Sequence, residues 1–352
     1  MTLHRIRPAR LLLLLATVVA TAALSGCGSD SGHEAGASTS APLATDVPAG
    51  TKLTVADDAN RLATLMRLSG EQDRLAADVS YANFTSGPLR LEAMRAGRAQ
   101  LAAVGDVPPI LAQFSGSDVP IVAAVRRTGP GYKLATSPKS GIATLQDLRG
   151  KRIAINDGTA QQAVVLRNLK AVGLTIKDVT PVTLDVAEFA DALRTNQVDA
   201  AVLKQPDRSR YLAAQAAHGA RELDNAPGTT PGLYYLVSSR KALADQAVAA
   251  AIRDFVVHWY RAEQWLNQHR DVWEREYLVG DQKVTAADAT AVSESDGQTQ
   301  FPRLSALIPT QQSTIDVLQE GGAFAGQDLT ARDEFDLRFD GLTATSTVSG
   351  GR

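Results

Sequence analysis

The sequence predicts an α/β fold of two lobes followed by a long helical segment, and three observations carry that expectation. Short apolar runs alternate with helical patterns from Leu53 to about Ala217, which is the grammar of βα units. The alternation resets at Arg126-Arg-Thr-Gly-Pro-Gly131, a stretch rich in turn formers where the chain is expected to cross between lobes. After Gly232-Leu-Tyr-Tyr-Leu-Val237 it does not resume, and the pattern stays helical to about Leu318.

At the N-terminus, Arg5, Arg7 and Arg10 precede the apolar run Leu11 to Leu24, which ends in Leu24-Ser25-Gly26-Cys27. This is the pattern of a signal peptide over residues 1–26. It resembles a bacterial lipoprotein signal, which implies cleavage before Cys27 and lipidation of that cysteine, the only one in the chain. A membrane span is a poorer match, since the run is shorter than the roughly 20 apolar residues a span needs. Residues 27–50 are mostly Gly, Ser, Ala, Asp and Thr, a flexible linker. With no second thiol there is no internal disulfide, so stability must come from burial. Loss of the three signal arginines takes the net charge from −2 to −5, and an acidic surface outside the cytoplasm argues against nucleic acid.

Lobe one is expected over 51–128, with strands at Leu53 to Ala56, Val79 to Phe84, Leu101 to Val104 and Ile121 to Val125 separated by helices. Lobe two is expected over 129–236, with strands at Tyr132 to Thr136, Arg152 to Asn156, Val179 to Val182 and Ala200 to Leu203. Residues 237–342 are expected to be helical and to return to lobe one, leaving 343–352 as a tail. In Val248 to Leu266, Ile252, Phe255, Val256, Trp259 and Ala262 recur at helical spacing, so the nearby His258, His269, Trp265 and Trp273 read as packing residues. No metal-ligand spacing is present, and no cofactor is expected.

Three glycine-containing turns fall where a strand ends and a helix begins: Thr85-Ser86-Gly87, Gly105-Asp106 and Asp157-Gly158-Thr159. Ligands of open α/β sheets bind at such carboxyl ends, and helix starts offer unpaired N–H groups to an anion. Ser and Thr are equally at home as helix caps. Asp57-Asp58 at the end of the first strand would repel an anion unless paired, and would suit an amine; Asp58 has the alternative of capping the next helix, as has Asp106.

The stretches FTSGP, VGDVPPILAQ, LQDLRGKRIAINDGTA and LKAVGLTIKDVTPV resemble the extracytoplasmic binding proteins for aliphatic sulfonates, within the sulfonate, nitrate and taurine group of ABC transporters. The resemblance runs from about Lys52 to Tyr235. It implies a type II periplasmic-binding-protein fold that closes on solute and hands it to a membrane permease driven by a cytoplasmic ATPase. It places ligand-facing positions at Asp57, Asp58, Thr85, Ser86, Gly87, Gly105, Asp106, Gly158, Thr159 and Ala160. Where the family reads like VDAWAIWDPY, this chain has VDAAVLKQPDRSRY, with Ala201 and Lys204 in place of two tryptophans and Gln205 in place of an acid. Lys204 is either an anion contact or a solvated strand-end side chain.

The expected function is therefore capture of a small organosulfonate or related oxyanion by a monomeric, lipid-anchored extracytoplasmic protein. The alternatives are a different small ligand, amine-bearing or pyrimidine-like, and a sensor lipoprotein without transport. An enzyme is disfavoured, since G-x-S-x-G, H-E-x-x-H and the phosphate loop are all missing.

Overall fold

A computed structural model describes residues 42–342 apart from Ala325. The expected signal, Cys27, most of the linker and the tail lie outside the described residues. Among those described, no helix is long and apolar enough to cross a membrane.

The chain opens with β1 (Lys52–Asp57), α1 (Arg61–Leu68), β2 (Asp78–Asn83), α2 (Gly87–Arg95), β3 (Leu101–Gly105), α3 (Val107–Phe114) and β4 (Ile121–Arg127). It crosses to β5 (Tyr132–Thr136), β6 (Arg152–Ile155), α4 (Ala160–Ala171), β7 (Thr180–Thr183), α5 (Phe189–Arg194), β8 (Ala200–Lys204), α6 (Asp207–Gln215) and β9 (Glu222–Leu223). It returns through β10 (Leu233–Ser238), α7 (Arg240–Ala244), α8 (Gln246–Gln268), α9 (Arg270–Trp273), α10 (Ala286–Asp296), β11 (Thr299–Gln300) and α11 (Leu304–Glu320).

Two sheets result, ordered β11-β4-β10-β3-β1-β2 and β7-β6-β8-β5-β9. Strands β1, β2 and β3 are parallel, so their carboxyl ends share one edge. β10 runs antiparallel between β3 and β4, which brings Tyr234 beside Gly105. β10 thus belongs to the first sheet, and the return crossing falls before Leu233, a few residues earlier than the expected boundary at 236. In the second sheet the antiparallel β5–β8 pair sets Tyr132 opposite Lys204. A two-residue strand, β11, interrupts the expected helical run and pairs with β4.

Apolar burial explains the assembly. Near-continuous buried runs of β1, β3, β4 and β10 pack with Ile252, Phe255, Val256 and Trp259 of α8 in one large core, so this helix does return to lobe one. Leu43 packs on the same core, so lobe one begins within the expected linker. The second sheet is covered on both faces, by α4 on one side and by α5 and α6 on the other. A fourth cluster joins Val107 and Ile110 of α3 to Ala163 and Leu166 of α4 through Ile315 and Leu318, so α11 packs against both lobes.

Candidate functional site

Between the lobes lies a cleft of about 490 Å³, bounded at its back by the crossings Gly129–Gly131 and Thr230–Leu233. A larger depression of about 660 Å³ lies elsewhere, between Pro109, Asp118, Arg240 and the segment 332–338. The interlobe cleft is the better candidate, because strand ends, helix starts and both crossings converge on it.

Its lobe-one wall is built from arginines that already have partners. Arg61, which opens α1, donates to Glu263 of α8 at 3.1 Å, and Arg127 at the end of β4 donates to both oxygens of the same carboxylate at 2.9 and 2.8 Å. Glu263 is fully buried; burial alone would raise its pKa, but Arg127 and Arg61 hold it below the usual carboxylate range. The Arg61 guanidinium lies over two rings, 5.5 Å from the Tyr234 centroid and 5.4 Å from that of Trp273. Arg90 of α2 sits 3.6 Å from the Asp58 carboxylate and donates to the Phe84 carbonyl at 2.8 Å. Asp106 faces Arg167 of α4 across the cleft at 3.3 Å, an ion pair that ties the lobes together.

Lys204 is different. It ends β8, is exposed to the cleft, and its ammonium has no hydrogen bond or ion pair to any described residue. Its surroundings hold it above the ordinary lysine range, Tyr132 opposite it first and then Asp58, Asp296 and Asp207, against the burial that would lower it. It is therefore fully charged at neutral pH. A side chain that is wetted by the cleft yet enclosed by protein on its flanks feels those charges with little screening.

Of the positions the sequence singled out, the cleft brings together Asp58, Gly105, Asp106, Ala160 and Lys204. Asp57, Thr85, Ser86, Gly87, Gly158 and Thr159 are not among its lining residues. Asp57 is buried beneath α1, where its carboxylate accepts from Asp58, Leu62 and Ala63 N–H groups at 2.7, 3.0 and 3.0 Å. Burial raises its pKa despite those bonds. Thr85 is exposed, Ser86 is the N-cap of α2, accepting from Leu89 N–H at 3.4 Å, and Gly87 lies against Pro108, where a Cβ would meet Cγ at 2.5 Å. The reason is strand order: β2 is the edge strand, so its turn sits at the margin of the sheet, and only Arg90, a turn further along α2, reaches the cleft. Thr159 caps α4 by accepting from Gln162 N–H at 3.4 Å, which leaves Ala160 as the residue of that helix start on the cleft wall.

Residues that sequence reasoning missed are Arg90, Arg127, Arg167, Tyr132, Tyr234 and Asp296, and Trp273, read there as a packing residue. Their common signal was weak: each is a single polar or aromatic residue inside an element whose periodicity was already satisfied. Tyr234 carries a buried hydroxyl with no hydrogen-bond partner, and burial pushes its pKa up to about 12 against the pull of Arg61.

Two α/β lobes joined by paired crossings, with a charged cleft between them, define the periplasmic-binding-protein class of fold. Within that class, residues 78–213 match the model of the NMT1/THI5 like family. The chain is 26% identical to the alkanesulfonate-binding protein of Xanthomonas axonopodis pv. citri, solved bound to MOPS, with a TM-score of 0.68 over 82% of this chain and 98% of that one. The periplasmic aliphatic sulphonate binding protein of Escherichia coli shares the fold at 22% identity and a TM-score of 0.69, over 83% and 99% of the two chains. In sequence, the chain is 32% identical over 161 residues to a curated Escherichia coli protein named for aliphatic sulfonates, covering 46% of this chain and 50% of the relative. A Bacillus subtilis protein of the same name is 27% identical over 197 residues, covering 55% and 57%. The chain thus spans about half the length of the curated relatives it matches.

Proposed function

We propose that this chain is the solute-binding component of an ABC importer, anchored outside the cytoplasm through a lipidated Cys27, acting as a monomer on a small organosulfonate or related oxyanion. The observation that carries the reading is Lys204: of the cleft's cations it alone has no partner among the described residues, while Arg61, Arg90, Arg127 and Arg167 are each held by a carboxylate. A cleft whose other cations are matched leaves one full positive charge for a ligand anion. The similarity to proteins named for sulfonates, one of them solved with MOPS, supports the same ligand class. In this reading Lys204 meets the oxyanion, the helix start at Ala160 adds backbone N–H character, and Gly105 lets the ligand approach the backbone closely. Ligand bridging the lobes favours the shut form, beside the Asp106–Arg167 pair, for delivery to a permease. Binding without chemistry is the role proposed.

Isothermal titration of the mature chain carrying Cys27→Ser, freed of bound ligand and titrated with C2 to C5 alkanesulfonates, aminosulfonates, nitrate and sulfate, tests this. At least one sulfonate should bind. Lys204→Met should weaken it by about 10-fold or more, the scale of a charge-assisted hydrogen bond, with the melting temperature of the ligand-free protein unchanged. Unaltered affinity in Lys204→Met would remove the basis of the reading.

A further inference from the structure

Two helices of the returning segment reach across to lobe two, and they grip opposite faces of its sheet. On the α4 face, Ile315 and Leu318 of α11 close an apolar cluster with Ala163 and Leu166. On the α6 face the partner is α10, and the contact is polar. Ala289 of α10 is buried in the core of lobe one and Tyr211 of α6 in that of lobe two, so the two helices belong to different lobes. Between them, the Asp288 carboxylate accepts from Arg210 Nε at 2.9 Å and from Ser209 Oγ at 3.3 Å. None of these three residues lines the cleft. Parting the apolar face exposes it to water, whereas Arg210, half exposed already, regains hydration when it leaves Asp288.

The far end of α10 is fixed to the crossing between the lobes. Gly129 N–H donates to the Asp296 carbonyl and Gly131 N–H to that of Ser295, both at 3.0 Å. A Cβ at Gly129 would stand 2.1 Å from the Ser295 carbonyl oxygen, and one at Gly297 would stand 2.3 Å from the Gly129 nitrogen, so the two glycines permit this close approach. Arg208 of α6 reaches the same end, donating to Ser295 Oγ and to the Gly131 carbonyl, both at 3.4 Å. Asp288 lies about two turns nearer the start of the helix, about 10 Å from that anchorage. Rotation of lobe two about the crossing therefore leaves the Ser295 end nearly in place and carries Arg210 away from Asp288. At that radius a rotation of about 15°, the size of a known allosteric rotation, is a shift of about 3 Å, which takes the hydrogen bond out of reach.

We propose that Asp288 is a closure latch: with Ser209 and Arg210 it holds lobe two against α10 in the shut form, and so sets ligand affinity from outside the cleft. It touches no ligand and acts through closure, which makes it a positioning residue; the apparent dissociation constant rises as the shut fraction falls. Only the effect on affinity rests on the importer reading, because the latch is a property of the two lobes alone.

The test uses the chain carrying Cys27→Ser, which has no other cysteine, with fluorescent labels at Asp78→Cys and Lys177→Cys. Both positions are exposed and lie at the amino ends of strands, Asp78 opening β2 in lobe one and Lys177 shortly before β7 in lobe two. Single-molecule energy transfer between them reads the ratio of open to shut chains. Asp288→Asn and Arg210→Met should each raise that ratio by about 2- to 5-fold, the range of a partly exposed ion pair. The double variant should do no more than either alone, the mark of a shared contact. Arg210→Met leaves the acid in the first turn of α10, so agreement of the two variants separates the latch from a loss of helix stability. Isothermal titration with C2 to C5 alkanesulfonates should show affinity weakened by no more than the same factor. An unmoved ratio of open to shut chains, or additive effects of the two substitutions, would overturn the latch. If no sulfonate binds, the importer reading loses its ligand class, and the ratio of open to shut chains still decides the latch.

Discussion

The two lobes charge the cleft in opposite ways. Lobe one and its returning helices supply Arg61, Arg90 and Arg127, each anchored to a carboxylate, and two of the three share the fully buried Glu263. Lobe two supplies Arg167, spent on Asp106 across the gap, and Lys204, which has no partner among the described residues. The difference teaches where stability and where recognition reside. A buried charge must be matched within the protein, because desolvation without a partner costs several kcal/mol. A charge exposed to the water of a cleft keeps part of its hydration until a ligand displaces it, so it can wait without a contact partner.

The strongest way to break this contrast is at Glu263. Glu263→Gln leaves two largely buried guanidiniums facing no anion, and removal of one partner from such a pair typically costs about 3–5 kcal/mol. Chemical denaturation should show a loss of that order, against a change within about 0.5 kcal/mol for a surface-like substitution such as Lys204→Met. Equal losses would mean that Lys204 is as structural as Glu263.

Glu334 sharpens the contrast from the other side, as a buried acid with no cation. Its Oε2 accepts from Gln311 at 2.6 Å, while Oε1 has no hydrogen-bond partner. Burial pushes its pKa up to about 8, the Gln311 bond opposing and Asp106 and Asp333 adding to the rise. The folded chain then holds this proton more tightly than the unfolded one, whose carboxyl titrates near 4.5. The stabilisation is complete below about pH 4.5 and is lost as pH rises towards 8, with a slope approaching 1.4 kcal/mol per pH unit, or about 2 kcal/mol from pH 6 to 7.5. Urea titrations over that range should show this slope in the wild type and its loss in Glu334→Gln; an unchanged slope would place the titration elsewhere.

Much of the scaffold was legible in the sequence, since apolar period and turn residues are local signals. The strands at Leu101 to Val104 and Ala200 to Leu203 and the strand-end turn Gly105-Asp106 followed from them, whereas Lys204 was singled out by a departure from the family resemblance. Strand order is not local. Nothing in Val79 to Phe84 says that β2 takes the sheet edge, and nothing in Leu233 to Ser238 says that β10 turns antiparallel into the first sheet. The partners of Arg61 and Arg127 lie on α8, 202 and 136 residues away along the chain, and Asp296 reaches the cleft only because two glycines let its turn meet the crossing. Such long-range matches are set by packing, so a motif search passes over them.

The smallest expected effect concerns the hydroxyl turn Thr85-Ser86, where recognition and local structure make different forecasts. Ser86 accepts from Leu89 N–H, and loss of an N-cap costs about 0.5–2 kcal/mol, the lower end applying to a bond of 3.4 Å at an exposed site. Ser86→Ala should therefore lower stability by about 0.5 kcal/mol and leave ligand affinity unchanged, and Thr85→Ala should alter neither. If instead either substitution weakens anion binding several-fold while the melting temperature holds, then the edge-strand turn joins the ligand when the lobes shut. The cleft would then recruit from its margin a hydroxyl pair that the arrangement described here leaves outside.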